Sequence, residues 1–494
     1  MKKKKIYNLL LFILIFCSIL SIIILKPIGN LDELWNYNFA RNVADGLVPY
    51  KDFNMLQMPL LPLICGIALK VTFNELIVMR ILAALLCSTI IYIIYKLFSI
   101  LNIKKEVYIV FLFVIGCFFK DLFCIDYNFA TLLLVLIIIF KEIKLYKKDD
   151  VFLKNDYKTD VMLGILAGLT LTLKQTTGIF ICIVLLGNKL LFVRTKEELK
   201  IYLKTFIFRL IGIAFPVLLM LIYLIINNAA ADFINYTIKG VSGFSYYISY
   251  KNLIKWNLVG FLSILVPITL IYAWIKYFIM EKDKKIYVLL VYGLAMFVIC
   301  FPISDKIHLL IGALPTIMII LYELYNCLRK IFKKILKVED VKFISAFLKT
   351  CIILFLLYFT IVNFCKYFIE NGSYSQLNHF KFIPIDMNSE KQIEQVDKFI
   401  LLEDKKVTII DASAAIYMIP INKYNKDYDM LLKGNLGFNG ENNMIEEISN
   451  SKDTKYLILN DKYNKNWQTP LNIIDYVKEN KTKIGEIEIF DIYE

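Results

Sequence analysis

The chain of 494 residues is poor in charge and in histidine, and each shortage excludes a class of protein. Only 20% of the residues are charged while 58% are hydrophobic, which excludes a single soluble globule. The only histidines are His308 and His379, and no Cys-x-x-Cys pair occurs, so the ligands of a structural zinc site are missing. The phosphate-binding motifs GxxxxGKS/T and GxGxxG are also absent. A divalent metal held by carboxylates stays open.

Cysteines and basic residues are unevenly distributed along the chain. All ten cysteines lie between Cys17 and Cys365, in or beside apolar runs, so disulfides do not hold the later residues together. The net charge of +14 comes from lysines and arginines in short clusters between apolar runs, a pattern that indicates membrane topology and not nucleic-acid binding. The first residues, MKKKK, precede an apolar run longer than a signal-peptide core, so we expect an uncleaved first span.

Apolar runs of spanning length or slightly less predict an α-helical polytopic membrane protein with about eleven transmembrane helices. These runs cover residues 6–25, 76–100, 107–123, 127–145, 161–174, 178–193, 207–226, 256–279, 286–302, 308–327 and 343–364. When the basic N-terminus is placed in the cytoplasm, every short loop on that side carries lysine or arginine. The composition is typical of a bacterial plasma membrane protein, and the odd number of spans places the C-terminal region outside.

The chain divides into two predicted domains, residues 1–364 in the membrane and residues 365–494 beyond it. The second domain contains KVTIID, KYLILND and EIEIFDIYE, which are typical of strands, and ASAAIYMI and PLNIIDYVKEN, which are typical of helices. We therefore expect a small extracytoplasmic α/β domain, serving acceptor binding, a lid or structural support. The apolar segment 59–73 is too short to span, so we expect it to lie along the membrane surface or to re-enter.

The first outer loop, residues 26–75, begins with the adjacent carboxylates Asp32 and Glu33 just after the first span. One interpretation is an ordinary helix start, where acidic side chains favour the helix dipole and Asn30 or Asp32 caps the helix. The other is catalytic: a carboxylate at the membrane surface accepts a proton from a nucleophile while a lipid-borne phosphate leaves.

A resemblance to a known family enters at this loop. The Asp-Glu pair is followed by an A-x5-G-x2-PY-x-DF stretch and then by a proline-led apolar helix; the stretch is Ala40, Gly46, Pro49, Tyr50, Asp52 and Phe53. This order resembles the GT-C superfamily of membrane glycosyltransferases, in particular the branch of protein O-mannosyltransferases and lipid A aminoarabinose transferases. One departure is that Gln57 and Met58 stand where the family often has His or Lys before the proline.

The resemblance implies transfer of a sugar from a polyprenyl-phosphate donor to a glycan, lipid or protein on the non-cytoplasmic face. It implies that Asp32 is the catalytic base of an inverting reaction, with Glu33 as its neighbour. It also implies a role for a second outer acidic residue, for which Asp126 is the candidate, assisting the base or a metal. The solvated turn FFKDLFCIDYNFA is the plain alternative for Asp126.

Two further patches carry candidate donor-binding residues. Lys174 and Gln175 end the fifth predicted span at the outer face, where family members carry a similar Lys-Gln and where snorkelling to headgroups is the alternative. Asp305, Lys306 and His308 crowd the outer end of the tenth span, either as donor phosphate and sugar contacts or as a polar hairpin. Glycines at 164, 168 and 178 predict close helix approach beside the first patch.

The main alternative function is a transporter or flippase of envelope lipid or polysaccharide precursors. Such a protein is expected to hold ionisable residues near the middle of the bilayer, often in repeated halves with broken helices. Here the candidates cluster at one face, and no internal repeat is found, so the sequence favours the glycosyltransferase. A structural or sensing protein, with the Asp-Glu pair as a helix start only, is the third interpretation.

Overall fold

The computed structural model describes residues 2–494 except 104–107, 109–110, 113–114, 117, 147–155, 241–248, 280–282, 302, 336–337, 371–373, 432–434, 439 and 464–468. The helices of the first predicted domain are α1 (Lys2–Ile24), α2 (Leu31–Ala44), α3 (Leu60–Lys70), α4 (Leu76–Ile100), α5 (Tyr127–Tyr146), α6 (Tyr157–Leu173), α7 (Gln175–Gly187), α8 (Lys196–Ile226), α9 (Ala230–Ile234), α10 (Leu258–Ile279), α11 (Lys284–Phe297), α12 (Lys306–Ile335) and α13 (Val338–Cys365). Short 3-10 turns follow at Leu190–Phe192, Tyr250–Leu253 and Val298–Cys300, and π turns at Asn235–Lys239 and Lys366–Glu370.

Seven helices in the described part of the chain are long and apolar enough to cross a membrane. They are Lys5–Ile24, Leu76–Ile100, Gln175–Phe192, Lys196–Ile226, Leu258–Ile279, Lys306–Cys327 and Thr350–Ile369. Each coincides with one of the predicted apolar runs. The prediction of a multi-spanning helical chain is therefore supported at seven of its positions.

The other four predicted runs do not coincide with helices of spanning length among the described residues, so the count of eleven transmembrane helices stays a prediction. Residues 127–145 form α5, and the run 161–174 falls mostly within α6, which has 17 residues. The run 286–302 lies partly in α11, which has only 14 residues. The run 107–123 includes several positions outside the described residues. The segment 59–73 forms α3, a short apolar helix of 11 residues.

Helices α6 and α8 touch through their backbones. A Cβ built on Gly164 would come within 2.2 Å of the carbonyl oxygen of Arg209, and one on Gly168 within 2.5 Å of that of Ile213. A Cβ on Gly178 would meet Leu171 at 2.3 Å, where α7 folds back on α6. The predicted close approach at these three glycines is confirmed, since any larger residue would push the helices apart.

The C-terminal domain contains a four-stranded sheet of β1 (Lys406–Ile410), β2 (Thr454–Leu459), β3 (Lys483–Ile487) and β4 (Phe490–Tyr493), in the order β1-β2-β4-β3. Strands β1 and β2 are parallel, and the other pairs are antiparallel. The helices are α14 (Met387–Leu402), α15 (Ala415–Met418), α16 (Gly440–Asn450) and α17 (Leu471–Asn480).

Two local predictions for this domain need correction. The segment EIEIFDIYE is not one final strand: it holds the end of β3 and all of β4, joined by a turn in which Glu488 has φ 51°. The turn contains no Gly, Pro or Asn, and apolar and polar residues alternate across it as they do in a strand. The sequence pattern therefore predicted one continuous strand. The segment ASAAIYMI is helical only over Ala415–Met418. Both strands KVTIID and KYLILND are present as predicted.

Candidate active site

Helix α2 brings the two acidic residues of the first outer loop to its first turn. Asn30 is the N-cap, and its side chain accepts a hydrogen bond from the backbone of Glu33 at 3.2 Å. The predicted capping by Asn30 is confirmed. Apart from Val43, the residues from Glu33 to the end of the helix are buried, so α2 is packed on most of its sides and holds its first turn in one place.

Glu33 is part of a buried ion pair with Arg80 on α4. The guanidinium donates to both carboxylate oxygens, at 3.1 Å and 2.9 Å. It also donates to the backbone carbonyls of Lys26 and Pro27 at 2.6 Å and 3.3 Å, which fixes the chain that leads from α1 into α2. The bidentate geometry is the strongest form of this pair. Glu33 therefore joins α2 to α4, whereas Asp32 has no ion-pair partner among the residues that the structure describes.

Asp32 is only partly exposed, and within the described residues no group donates a hydrogen bond to its carboxylate. Burial raises the pKa of Asp32 to about 7, and the negative charges of Asp126 and Asp305 act in the same direction. A carboxylate with a pKa near neutrality is suited to accept a proton from a nucleophile. These three acids come from positions far apart in the chain.

Asp126 and Lys174 are brought together through Asn128. The Asp126 carboxylate accepts from the backbone of Asn128 at 2.7 Å, and the Lys174 ammonium donates to the Asn128 side chain at 2.7 Å. Lys174 is buried, in an extended break between α6 and α7, with its Nζ 5.1 Å from the centre of the Tyr127 ring. Its ammonium group therefore lies inside the protein. Burial raises the pKa of Asp126, while Asn128 and the charges of His308 and Lys174 oppose that rise.

Asp305 and His308 contact each other at the start of α12. Asp305 Oδ1 accepts from the backbone of His308 at 2.8 Å and lies 2.8 Å from its Nδ1. Burial acts to raise the pKa of Asp305, but the charge and hydrogen bonds of His308 outweigh it and the pKa is lowered. His308 is buried while Lys306 is exposed. We name Asp32, Asp126, Lys174, Asp305 and His308 together the acidic site.

The predicted donor residues Gln175 and Lys306 lie at the edge of the acidic site. The Gln175 side chain donates to the backbone carbonyl of Thr237 at 3.3 Å, so it links α7 to the segment after α9. Lys306 lines a cavity of about 290 Å³ beside Asp305. The cavity is lined by Asn252, Leu253, Lys255, Asn257, Val259, Ser304, Asp305 and Lys306.

Sequence reasoning missed two residues of this region, Arg80 and Lys255, and one contact of Gln57. Arg80 lies four residues inside the second predicted span, and an intramembrane charge is a known signal of a paired residue. Lys255 lies in the polar stretch YKNLIKWN just before an apolar run, which is a weaker signal. Gln57 donates to Asn36 at 3.1 Å, and Asn36 donates to the Asp32 carbonyl at 2.7 Å. No sequence signal pointed to that contact.

A metal site does not emerge from the described residues. No group of three or more His, Cys, Asp or Glu side chains in that part of the chain stands close enough to hold a metal ion. Asp32, Asp126 and Asp305 interact through their charges and do not form a ligand cluster. The open possibility of a divalent metal stays a prediction, and the chemistry below uses only the protein's own groups.

Comparison with known proteins gives matches only among solved structures. No protein-family model and no curated protein matches the sequence. Two similar structures are crystal structures of the oligosaccharyltransferase of Archaeoglobus fulgidus, one in complex with Zn and sulfate and one in the apo form. The first is 11% identical, covers 91% of this chain and 68% of that chain, and has a TM-score of 0.45. The second is 12% identical, covers 93% and 70%, and has a TM-score of 0.44. These values are too low for the likeness to carry an argument about fold or activity.

Proposed function

We propose that the protein is an inverting membrane glycosyltransferase of the GT-C type, which moves a sugar from a polyprenyl-phosphate-linked donor to an acceptor outside the cytoplasm. The observation that carries this is the acidic site. A partly exposed carboxylate with a pKa near 7, Asp32, stands near two buried nitrogen-bearing side chains, Lys174 bonded to Asn128 and His308 bonded to Asp305. A base and cations at one place are what transfer from an anomeric phosphate requires.

In the proposed reaction, Asp32 takes the proton of an acceptor hydroxyl or amine. The acceptor oxygen or nitrogen forms a bond to the anomeric carbon as the bond from that carbon to the phosphate oxygen breaks. The bonding electron pair leaves with the phosphate, and attack from the opposite side inverts the configuration. Positioning of the two reactants supplies much of the rate enhancement, because the donor is already activated.

The leaving phosphate requires cations as its negative charge develops. Lys174 and His308 are buried and held by Asn128 and Asp305, so they are oriented before the reaction begins. Lys306 and Lys255 line the cavity beside Asp305, and we assign this cavity to the phosphate end of the lipid donor. Asp126 orients Lys174 through Asn128, and Gln175 holds the adjoining turn.

Glu33 receives a positioning role in this proposal, because both of its oxygens accept from Arg80. The proposed topology follows the positive-inside pattern, with the N-terminus in the cytoplasm and the C-terminal domain outside a bacterial plasma membrane. The partners are the lipid-linked donor, membrane lipids and a glycan, lipid or protein acceptor. The relation to protein O-mannosyltransferases and aminoarabinose transferases rests on the residues of the first outer loop.

The test is transfer of radiolabelled sugar from polyprenyl-phosphate mannose, glucose and arabinose in membranes that contain wild type or Asp32→Asn. Products are extracted from lipid, protein and polysaccharide fractions. Asp121→Asn is the matched control, since Asp121 is an exposed acid in the turn just before Asp126. Signal that is lost in Asp32→Asn and kept in Asp121→Asn supports the proposal and identifies the acceptor class. Equal transfer in all three membranes would remove Asp32 as the base and favour a transporter.

A further inference from the structure

Helix α2 is bound on one side by the C-terminal domain. Trp35, Asn38 and Asn42 follow one another at helical spacing and so share a face of the helix. The indole of Trp35 donates to the carbonyl of Ala412 at 2.8 Å. The Asn42 side chain donates to the carboxylate of Asp429 at 3.2 Å. Trp35 comes one turn after Asp32, so the contact begins next to the proposed base.

The end of α2 is held by the same domain. Arg41 is fully buried; it donates to the carbonyl of Lys423 at 3.3 Å and lies 4.6 Å from the centre of the Tyr424 ring. Asp45, which follows α2, stands 3.7 Å from Arg41 and accepts from the Tyr424 hydroxyl at 2.8 Å. The C-terminal domain therefore contacts α2 near both ends of the helix, through residues that lie more than 370 positions further along the chain.

Asp429 is the charged centre of this interface. It is buried, and its burial raises its pKa to about 6, although Asn38, Asn42 and Arg41 oppose the rise. The carboxylate is thus charged at neutral pH and balances the buried charge of Arg41. A buried cation that loses one of its counter-charges is destabilised strongly, so removal of Asp429 should shift the residues around Arg41.

The interface combines apolar packing of Trp35 with Ala412 and directional hydrogen bonds. The Asn54 side chain also donates to the Met430 carbonyl at 3.2 Å, which ties the loop after α2 to the same segment. Apolar surfaces slide past one another at small cost, whereas hydrogen bonds from fixed donors to fixed acceptors set one position and one rotation. Contacts of this kind orient a helix.

We infer that residues 411–430 of the C-terminal domain position α2 for catalysis, with Asp429 as a positioning residue that acts on Asp32 through Asn42 and the helix. The inference rests on the proposed transferase function. The domain then has a defined role at the acidic site, in contrast to an acceptor-binding module or a passive support.

The test compares Asp429→Ala and Trp35→Phe with Asp475→Asn in the purified full-length protein. Trp35→Phe removes the indole donor that bonds to Ala412. This variant provides the same test if Asp429→Ala does not fold. Asp475 is an exposed acid on α17 and is the control. Hydrogen exchange of the amides of residues 31–44 is measured without substrate, and kcat and KM are measured with the polyprenyl-phosphate sugar that the wild type uses.

The expected result is faster exchange in residues 31–44 for Asp429→Ala and Trp35→Phe but not for the control. For Asp429→Ala kcat should fall about tenfold with KM for the donor unchanged, because misplacement of the base affects the chemical step. Restoration of part of kcat by Asp429→Asn, which can still accept from Asn42, would support the inference further.

Unchanged exchange in both variants would overturn the inference, whatever the activity. Faster exchange together with an unchanged kcat would also overturn it, since α2 would then be loosened without effect on transfer. If exchange is faster in the variants but the wild type transfers no sugar, the C-terminal domain does stabilise α2 and the proposed function fails. The two failures are therefore distinguishable.

Discussion

Two groups of ionisable residues in the helical part of the chain differ in how completely they are paired. The acidic site sets three acids, Asp32, Asp126 and Asp305, against Lys174 and His308. A second group, which we call the paired cluster, sets two acids against two cations: Glu142, Asp160, Lys189 and Arg209, all buried. The paired cluster joins the ends of α5, α6 and α7 to the middle of α8.

The contacts of the paired cluster leave each charge with an opposite neighbour. Arg209 donates to Asp160 at 3.0 Å and to Glu142 at 2.8 Å. Lys189 lies 3.7 Å from Asp160, and Asn188 donates to Glu142 at 2.6 Å. Such a balanced network holds helices in one arrangement. The acidic site instead carries Asp32, whose carboxylate has no hydrogen-bond partner among the described residues. We therefore expect the paired cluster to stabilise the fold and the acidic site to serve the proposed chemistry.

The largest effect is expected from Asp32→Asn. Loss of a general base reduces transfer by about 10²–10⁴-fold, and the folded protein should accumulate normally because Asp32 makes no side-chain hydrogen bond within the described residues. The measurement is the initial rate of sugar transfer alongside the thermal unfolding midpoint. A rate within a few-fold of wild type would show that the unpaired acid of the acidic site is not the base.

The paired cluster is broken by Arg209→Met, which leaves two buried carboxylates without their main partner. We expect a loss of about 3–5 kcal/mol in the free energy of unfolding, seen as less folded protein and a lower unfolding midpoint. Lys200→Met is the control, since Lys200 and its partner Glu197 are both exposed and their pairing contributes little. Equal stability of the two variants would mean that the network does not hold the helices.

Lys174→Met tests whether a buried cation of the acidic site serves chemistry. We expect kcat/KM to fall about 10²-fold, the effect of removing one preorganised group that stabilises developing charge. Lys306→Met, at an exposed position, should have a smaller effect that weakens further at high salt. If Lys174→Met lowered the unfolding midpoint but kept the wild-type kcat/KM, Lys174 would stabilise the fold, as the paired cluster does, and would not take part in transfer.

The pH dependence of transfer should report the pKa of Asp32. Because the base must be deprotonated, kcat/KM should rise with pH up to about 7, by about tenfold per pH unit below that value, and then level off. Asp126→Asn removes a neighbouring negative charge and should move this rise to lower pH. A rise at the same pH in both proteins would show that the charge of Asp126 does not reach Asp32.

The smallest expected effect is a pH-dependent change in the stability of the fold, caused by the carboxyl group of Asp32. Its pKa is raised from 3.8 to about 7 in the folded protein, so the folded state binds more protons in this window and stability falls as pH rises through it. Asp32→Asn should therefore raise the unfolding midpoint at pH 8 and change it little at pH 4. An equal shift at both pH values would mean that burial of the charge is not the cause.

Many helices of the first predicted domain could be predicted, because the apolar runs that specify them are local features of the sequence. A long apolar run specifies a helix by itself, since every backbone group in lipid must be bonded within the segment. Seven predicted runs coincide with helices of spanning length in the described residues. The hairpin of β3 and β4 was missed because its turn at Glu488 lacks the usual turn residues.

The candidate site was predicted as a set of residues and not as an arrangement. Only the resemblance to a known family separated Asp32, as the base, from its neighbour Glu33; the ion pair of Glu33 with Arg80 could not be read from the sequence. The sequence left Lys174 open between snorkelling and a donor contact, and its burial and its bond to Asn128 could not be read from the sequence. The contacts between α2 and the C-terminal domain had no local signature at all.

By itself, the sequence determined the membrane character, the positions of the long helices and the start of α2 near Asn30 and Asp32, since each depends on neighbours within a few turns. Only the tertiary structure decided which acids share a site and which cations balance them. Asp32, Asp126 and Asp305 affect one another because burial lowers the screening between charges from distant segments. That coupling exists only once the helices are packed.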